Sequence, residues 1–437
     1  MFKRKIYDKL LAWKQESAGK TALLIEGARR IGKSTVVEEF AKNEYDSYIL
    51  IDFSTASKNV RELFEDVSDL NYLFLQLQFQ YRTDLIERKS LIIFDEVQFF
   101  PVARQAIKYL VKDGRYDYIE TGSLISIKKN VKDILIPSEE YRIKMWPMDF
   151  EEFLWANDIT EPVIALLQSS LDSGSPVPEA LHNRMRQLLL QYTVVGGMPD
   201  AVQTFVTSRQ MDEVLRIQRD IVRSYEDDMV KYAEKKDKSR IKECFQSIPR
   251  QLAKENKKFQ YSVVKKGSTS AKYAGSLQWI EDAGIITRCH NLSITELPLD
   301  GNAEEDTFKV YMCDTGLFVS MLEDGTQFDI LQGDLYGYKG AIFENLIADI
   351  FTKMGRKLYY FHKDSGLEVD FVIRYQGECT LVEVKARSGN VKSTKTILNH
   401  PEKYHVSHAI KLGDYNIGKN GPLLTLPLYM AFLLRSC

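Results

Sequence analysis

Two groups of residues in this chain of 437 carry types and spacings suited to phosphate chemistry. The first is GARRIGKS, Gly27 to Ser34, which fits G-x-x-x-x-G-K-[ST] between an apolar strand and a helix. Gly27 and Gly32 let the backbone curl through Ala28, Arg29, Arg30 and Ile31, so that N–H groups face phosphate oxygens. The helix opening at Lys33, Ser34 and Thr35 adds its positive end. Lys33 then reaches the β- and γ-phosphates, and the Ser34 hydroxyl ligates Mg²⁺. In LIIFDE, Asp95 ends a buried strand, placed to hold Mg²⁺ through water, and Glu96 can polarise an attacking water. A further apolar strand ends in ETGS, which sets Thr121 or Ser123 at the same sheet edge. The three features in this order point to bound ATP with Mg²⁺. Hydrolysis rests on Glu96, for which a purely structural acid is the alternative.

The second group is EVDFVIRYQGECTLVEVKA, residues 368–386, read as two strands around a Gln376–Gly377 turn. Side chains at i and i+2 share a face. With Tyr375 facing Glu378, Asp370 stands opposite Glu383, and Glu368 opposite Lys385. Like charges directly across a strand pair are destabilising, and a divalent cation between the two acids would relieve them. Upstream, GAIFENLIADIF carries an apolar stripe of Phe343, Leu346, Ile347 and Ile350. Glu344 lies at its edge, off the polar face of Asn345 and Asp349. Glu344, Asp370 and Glu383 are therefore the candidate metal ligands. Carboxylate oxygens suit Mg²⁺, which keeps several waters, and Lys385 would orient a water or offset phosphate charge. The competing reading is a pair of Glu–Lys bridges on a solvated sheet, worth about 0–1 kcal/mol.

A third pattern is basic. Gly267 sits between YSVVKK and STSAKYAGSLQWIEDAGII, a helix-turn-helix spacing with Ser268 or Ser270 as cap and Leu277, Ile280 and Ala283 facing inward. Lys265, Lys266 and Lys272 lie near the second helix's start, with Lys254, Lys257 and Lys258 upstream. Such lysines suit DNA phosphate contacts, which position a protein without reading sequence. The alternative is a winged helix used for protein contacts, or as a lid over the nucleotide.

These residues need elements to hold them. Residues 1–150 alternate continuous apolar strands with helices, which implies an α/β domain with a covered parallel sheet. Helical periodicity fills 151–235, broken at VVGGMPDA, with LDSGSPVPEA as an exposed linker and Asp149 as a helix cap. A helix near 239–254 and a strand entering a hairpin wing place a winged-helix domain at 236–330. DLYGYKG then opens a mixed α/β domain at 335–437. The net charge of −2 excludes a global basic field. The five cysteines have no framework or metal spacing and suggest reduced thiols in a cytoplasm. The start is too charged for a secretory signal, and no apolar run reaches membrane length.

The chain resembles the prokaryotic AAA-type ATPases that carry a C-terminal uncharacterised nuclease-like domain. GARRIGKS, LIIFDEVQ, ETGSL, PMDFEEFL, GGMPDAV, YAGSLQWIEDAGII, VYMCDTGL, GAIFENLI, LEVDFVI and VEVKA carry the likeness, in family order over nearly the whole chain. It implies a P-loop ATPase domain, a helical lid, a winged helix and a terminal domain like PD-(D/E)xK nucleases. Lys33, Ser34, Asp95 and Glu96 match the ATPase roles, and Glu344, Asp370, Glu383 and Lys385 the nuclease pattern. In PSEEYRIK the family's small residue and glycine before the arginine are replaced by Glu140 and Tyr141, which counts against Arg142 as the charge-stabilising arginine. Arg104, Arg115 or an arginine from a second copy in a homo-oligomer would serve instead. The expectation is a cytoplasmic Mg²⁺-dependent ATPase whose nucleotide state repositions a DNA-binding, nuclease-like half. The rivals are a nucleotide-gated adaptor that binds and never cuts, and a protein that holds ATP without hydrolysing it.

Overall fold

The structure, a computed structural model, describes all residues except 124–137, 234–236, 255–257, 334–338, 387–390 and 436–437, and the side chains at 232 and 339. Lys257, most of DLYGYKG and Cys437 thus lie outside the described residues. The chain forms two compact units. One comprises Met1–Trp146 with Asp282–Gly284, and the other Pro147–Glu281 with Ile285–Cys437. The helical, hairpin and terminal stretches distinguished in the sequence all fall in the second.

The first unit runs α1 (Lys5–Ser17), β1 (Ala22–Glu26), α2 (Lys33–Glu44), β2 (Ser47–Asp52), α3 (Lys58–Glu62), α4 (Leu70–Tyr81), β3 (Ser90–Asp95), α5 (Pro101–Asp113), β4 (Asp117–Gly122) and β5 (Glu140–Lys144). Its five strands are parallel, in the order β2-β3-β4-β1-β5. The apolar runs of β1, β3 and β4 are buried along their lengths, as expected where helices cover both faces. The chain leaves β1 towards β2 at one edge and returns as β5 on the other side of β1. The carboxyl end of β1 is therefore the topological switch point, where such sheets take ligands.

The second unit begins with helices α6 (Phe150–Ala156), α7 (Glu161–Ser173), α8 (Glu179–Val195), α9 (Pro199–Ser208), α10 (Met211–Tyr232), α11 (Lys238–Leu252), α12 (Tyr261–Val264) and α13 (Ser270–Asp282). Asp149 caps α6 in a reciprocal box with Glu152. The stretch read as an exposed linker is partly buried. Val177 sits in the core and exchanges both backbone hydrogen bonds with the Asn416 amide, each 2.8 Å. Next come β6 (Ile286–Leu292), β7 (Ala303–Met312), α14 (Thr315–Ser320), α15 (Thr326–Gln332) and α16 (Lys339–Lys353). The unit closes with β8 (Leu358–His362), β9 (Glu368–Val369), β10 (Phe371–Tyr375), β11 (Glu378–Val384), α17 (Lys392–Leu398), α18 (Pro401–Tyr404), β12 (His408–Gly413), β13 (Gly418–Asn420) and β14 (Leu423–Pro427).

Two sheets, β7-β6-β8-β9 and β10-β11-β12-β14-β13, meet at Asp370. β6 and β7 pair antiparallel in the stretch where a wing was expected, and β6 also pairs parallel with β8. Hairpin and terminal segment therefore share one sheet. No helix among the described residues is long and apolar enough to cross a membrane.

α16 departs most from expectation. Its supposed polar face does not meet water, since Asn345 and Asp349 are fully buried. Asn345 takes the Met312 N–H at 2.8 Å and returns a bond to its carbonyl. Asp349 takes the Thr315 N–H and hydroxyl, and Lys353 Nζ at 2.8 Å. Lys353 also lies 3.6 Å from Asp314, donates to the Tyr192 hydroxyl and Met148 carbonyl, and is 1% exposed. Asp314 in turn accepts the Gly197 N–H at 2.7 Å and the Leu317 N–H that starts α14. A Cβ at Gly196 would stand 2.2 Å from the Asp314 carboxylate, and one at Gly197 would stand 1.9 Å from the Met148 carbonyl. The paired glycines of VVGGMPDA are thus required by close approach. Burial pushes Asp349 up to about 6 against the pull of Lys353.

Lys353→Met leaves Asp314 and Asp349 buried without their cation, a loss of about 3–5 kcal/mol. Hydrogen exchange of α14 and α16 amides in the full chain should accelerate accordingly, with partial recovery in Lys353→Arg. Unchanged protection would refute this role.

Candidate functional sites

The loop between β1 and α2 has the shape its glycines foretold. Gly27 lies where a Cβ would meet the Met145 carbonyl at 2.4 Å. Arg30 and Gly32 take left-handed backbone, φ +63° and +89°, the alternation that makes a concave ring of N–H groups. Ala28 and Ile31 are buried beneath the loop, while Arg29, Arg30 and Thr35 are exposed. α2 has Gly32 at its N-cap and no side-chain cap, so its first N–H donors remain available to an anion. Arg4 fastens the loop from behind. Its buried guanidinium donates to the Ile31 carbonyl at 3.0 Å and to the Trp146 carbonyl at 2.7 Å.

Lys33 folds back on this loop and donates to the carbonyls of Gly27 (3.2 Å) and Ala28 (2.8 Å). Burial lowers its amine to about 8, against the opposing charges of Glu96 and Asp95. Ser34 Oγ donates to Asp95 Oδ1 at 2.8 Å, and the Thr121 hydroxyl donates to the same oxygen. Ser34 and Thr121 thus converge on one oxygen of Asp95, whose charge also acts on Lys33. Glu96 follows Asp95 in left-handed backbone, φ +51°, a conformation uncommon outside glycine that clusters at functional sites. Its carboxylate accepts from the Gln98 amide. Ser123 lies half-buried just past β4. The donor set fits a nucleotide with Mg²⁺: a hydroxyl and a carboxylate share a hydrogen bond where the ion would sit, and the lysine bonds only to carbonyls.

The arginines are committed elsewhere. Arg104, one of the candidates for the nucleotide's charge, is buried and binds Glu140 twice, at 2.9 and 2.8 Å. Arg142 donates to the same carboxylate at 2.6 Å. Arg115 pairs with Asp113 and Asn71. Glu140, which replaces the expected small residue, thus gathers two of the three candidates.

In the terminal cluster the turn is as read. Gln376 and Gly377 both have positive φ, +50° and +83°, and Tyr375 pairs with Glu378, the primed hairpin geometry. The strand expected over 368–374 is broken at Asp370. β9 pairs with β8 while β10 pairs with β11, and Asp370 Oδ2 instead accepts the Val384 N–H at 2.8 Å. Glu383 is 3% exposed, accepts from the Thr394 hydroxyl at 2.6 Å, and takes Lys385 Nζ at 2.6 Å. Lys385 stands 3.9 Å from Asp370. Burial, then Glu344, then Glu383 push Asp370 up to about 7.

The expected Glu368–Lys385 pairing does not form. Glu368 takes Lys309 Nζ at 3.0 Å, and the same amine is 3.2 Å from Glu344. The structure therefore gathers Glu344, Asp370, Glu383 and Lys385 in one neighbourhood and adds Lys309, Tyr311 and Thr394. Lys309 had a legible signal, a lysine amid the apolar residues of TFKVYM. Thr394 and Arg4 had none. A divalent ion on Asp370 and Glu383 fits the crowding of three acids. Held there, it would supply a more acidic bound water and charge for a phosphodiester.

Of the basic residues, Lys265 is paired with Glu243 at 2.9 Å, and Lys266 and Lys272 are exposed. Gly267 makes the turn at φ +84°, and Leu277 and Ile280 are buried while Ala283 is half-buried. Thr269, not Ser268 or Ser270, takes the cap position of α13: its carbonyl receives the first helical bond, from Tyr273.

Residues 19–154 match the AAA domain family. An AAA-type P-loop domain therefore occupies the first third of the chain. Residues 186–327 and 339–429 match families described only as domains of unknown function, DUF8612 and DUF4143. No curated protein matches the sequence. Among solved structures, the chain is similar to the Walker-type ATPase PABY2304 of Pyrococcus abyssi, at 16% identity over 74% of this chain and 96% of that one, with a TM-score of 0.43. It is similar also to the Thermotoga maritima RuvB Holliday junction branch migration motor, at 12% identity over 66% and 90%, TM-score 0.31. A third is Cdc6p from Pyrobaculum aerophilum, at 11% over 76% and 94%, TM-score 0.24. Overlaps this low say nothing of what this chain binds.

Bound polyphosphate favours the ammonium form of Lys33 in the AAA-type domain. Above pH 8 binding must take up a proton, so ATP affinity should fall by up to about tenfold per pH unit there and stay level below pH 7. Calorimetry across pH 7–9.5 checks this. An equal slope in Lys33→Arg, which stays charged, would refute it.

Proposed function

We propose that the chain is a cytoplasmic, Mg²⁺-dependent ATPase whose nucleotide state governs a DNA-binding, nuclease-like second unit. The observation that carries the ATPase reading is the convergence of Ser34 and Thr121 on Asp95, with Lys33 folded onto the loop, beside an uncapped helix N-terminus. In this reading Gly27 to Thr35 hold the phosphates through backbone donors. Lys33 leaves its carbonyl partners for the β- and γ-phosphates. Ser34 and Asp95 hold Mg²⁺, the latter through water. Glu96, aligned by Gln98, orients the attacking water, and Ser123 stands near the γ-phosphate. With Arg104 and Arg142 committed to Glu140, an arginine from a second copy completes the charge stabilisation, which makes hydrolysis depend on self-association.

For the second unit, exposed Lys266 and Lys272, with Lys265, contact the DNA backbone. Asp370 and Glu383 hold the metal, and Lys385 positions the water. The adaptor reading, a domain that binds and never cuts, is favoured by one observation: Lys309 and Lys385 already compensate the acids.

Two experiments test the proposal. Phosphate release by the full chain should fall about a hundredfold or more in Lys33→Ala, the scale of losing one positioned cationic group. Equal release from both proteins would sink the ATPase reading. Plasmid nicking with Mn²⁺ should vanish in Asp370→Ala. No cleavage by the unsubstituted chain across metals and substrates, with and without ATP, leaves the adaptor.

A further inference from the structure

Among the described residues no three His, Cys, Asp or Glu side chains stand close enough to hold one metal ion. Yet the charge of Glu344 bears on both Asp370 and Lys385. Glu344 Oε1 is instead drawn to Lys309 Nζ at 3.2 Å and to the Tyr311 hydroxyl. Lys309 comes from β7, in the hairpin, and its side chain is 1% exposed. The ammonium has a second partner in Glu368, 3.0 Å away and 38% exposed, and the Tyr360 ring lies 4.7 Å from it. Lys309 and Glu368 line a polar cleft of about 410 Å³, together with Asn291, Thr307, Tyr360 and His362. The buried ammonium thus borders a cleft through its half-exposed partner Glu368.

We propose that Lys309 is an internal counter-cation that competes with a divalent ion for the Glu344 carboxylate. This rests on the reading of the terminal cluster as a metal site. While the ammonium holds Glu344, Asp370 and Glu383 are a two-carboxylate site, next to two lysines that repel a cation. When the ammonium withdraws towards Glu368 and the cleft, it keeps an ion pair, and Glu344 becomes the third ligand. An ammonium and a divalent ion a few ångströms apart in a buried site repel one another, with little solvent between them to screen the charges. The site is therefore weak for metal by construction, and the hairpin residue sets how weak.

The test is direct Mn²⁺ binding, read from the electron paramagnetic resonance of free Mn²⁺ during titration of the nucleotide-free full chain. The component lost in Asp370→Asn defines the terminal site. Lys309→Met should bind Mn²⁺ there at least about tenfold tighter than the unsubstituted chain, and Lys309→Arg should bind as weakly. Should Lys309→Met fail to fold, Tyr311→Phe removes another donor to Glu344 and should tighten binding roughly threefold. Unchanged affinity in a folded Lys309→Met, or in Tyr311→Phe where that variant stands in, overturns the inference and leaves the nuclease reading intact. A tightened site in a chain that cuts no DNA sinks the nuclease reading and keeps this one. No Asp370-dependent Mn²⁺ component in any variant sinks both.

Discussion

A carboxylate taken out of water must meet a counter-charge, accept several hydrogen bonds, or stay protonated. Both units are arranged around that demand. In the second, Lys353 serves Asp314 and Asp349, Lys309 serves Glu344 and Glu368, and Lys385 serves Glu383. In the first, Arg104 serves Glu140. Each cation sits on a different element from at least one of its acids, except the short-range Lys385–Glu383 pair. The ion pairs therefore fix how strands and helices meet. Their net contribution to stability is small when measured against apolar replacements, but breaking one is costly. Such pairs specify an arrangement more than they stabilise it.

The glycines follow from the same demand. Asp314 can reach the Gly197 N–H and the start of α14 only if the chain at 196–197 comes within contact distance of its carboxylate and of the Met148 carbonyl. Any side chain at either position would occupy that space. GGMPDA and CDTGL are far apart in sequence and form one packed joint, with Gly316 itself in contact with the backbone at Val195 and Gly196. The same logic explains Gly27, pressed against the Met145 carbonyl, where the loop must curl without a Cβ.

Much of this was legible in the sequence because local rules decide it. The phosphate loop, the Asp149 cap, the Gln376–Gly377 turn and the buried parallel strands each follow from residues within a few positions of one another. What escaped was decided by tertiary placement. α16 has a periodic polar face, and periodicity alone assigns such a face to water. Here the face is covered by β7 and α14, which supply backbone groups for Asn345 and Asp349 to bind. Asp370 interrupts a strand whose alternation is unbroken, because its carboxylate replaces a ladder bond at the junction of two sheets. Lys309 was visible as an anomaly in an apolar strand, but its partners lie 35 and 59 positions away, and no spacing rule reaches that far. Arg104 was considered for the nucleotide's charge, and nothing near it in sequence pointed to its partner. That partner is Glu140.

The two candidate sites differ in what they lack. At the AAA-type loop the buried cation, Lys33, bonds to carbonyl oxygens, and burial lowers its basicity despite the charges of Glu96 and Asp95. Polyphosphate supplies negative charge, so the site gains from its ligand without surrendering an existing ion pair. At the terminal cluster the acids already have lysines, and Asp370 is raised first by its burial and then by the charges of Glu344 and Glu383. A metal there must displace or tolerate a cation. Binding at the first site completes a structure, whereas binding at the second rearranges one. A chain built this way keeps its nucleotide site ready and its acidic site closed, with the hairpin lysine as the group that would have to move.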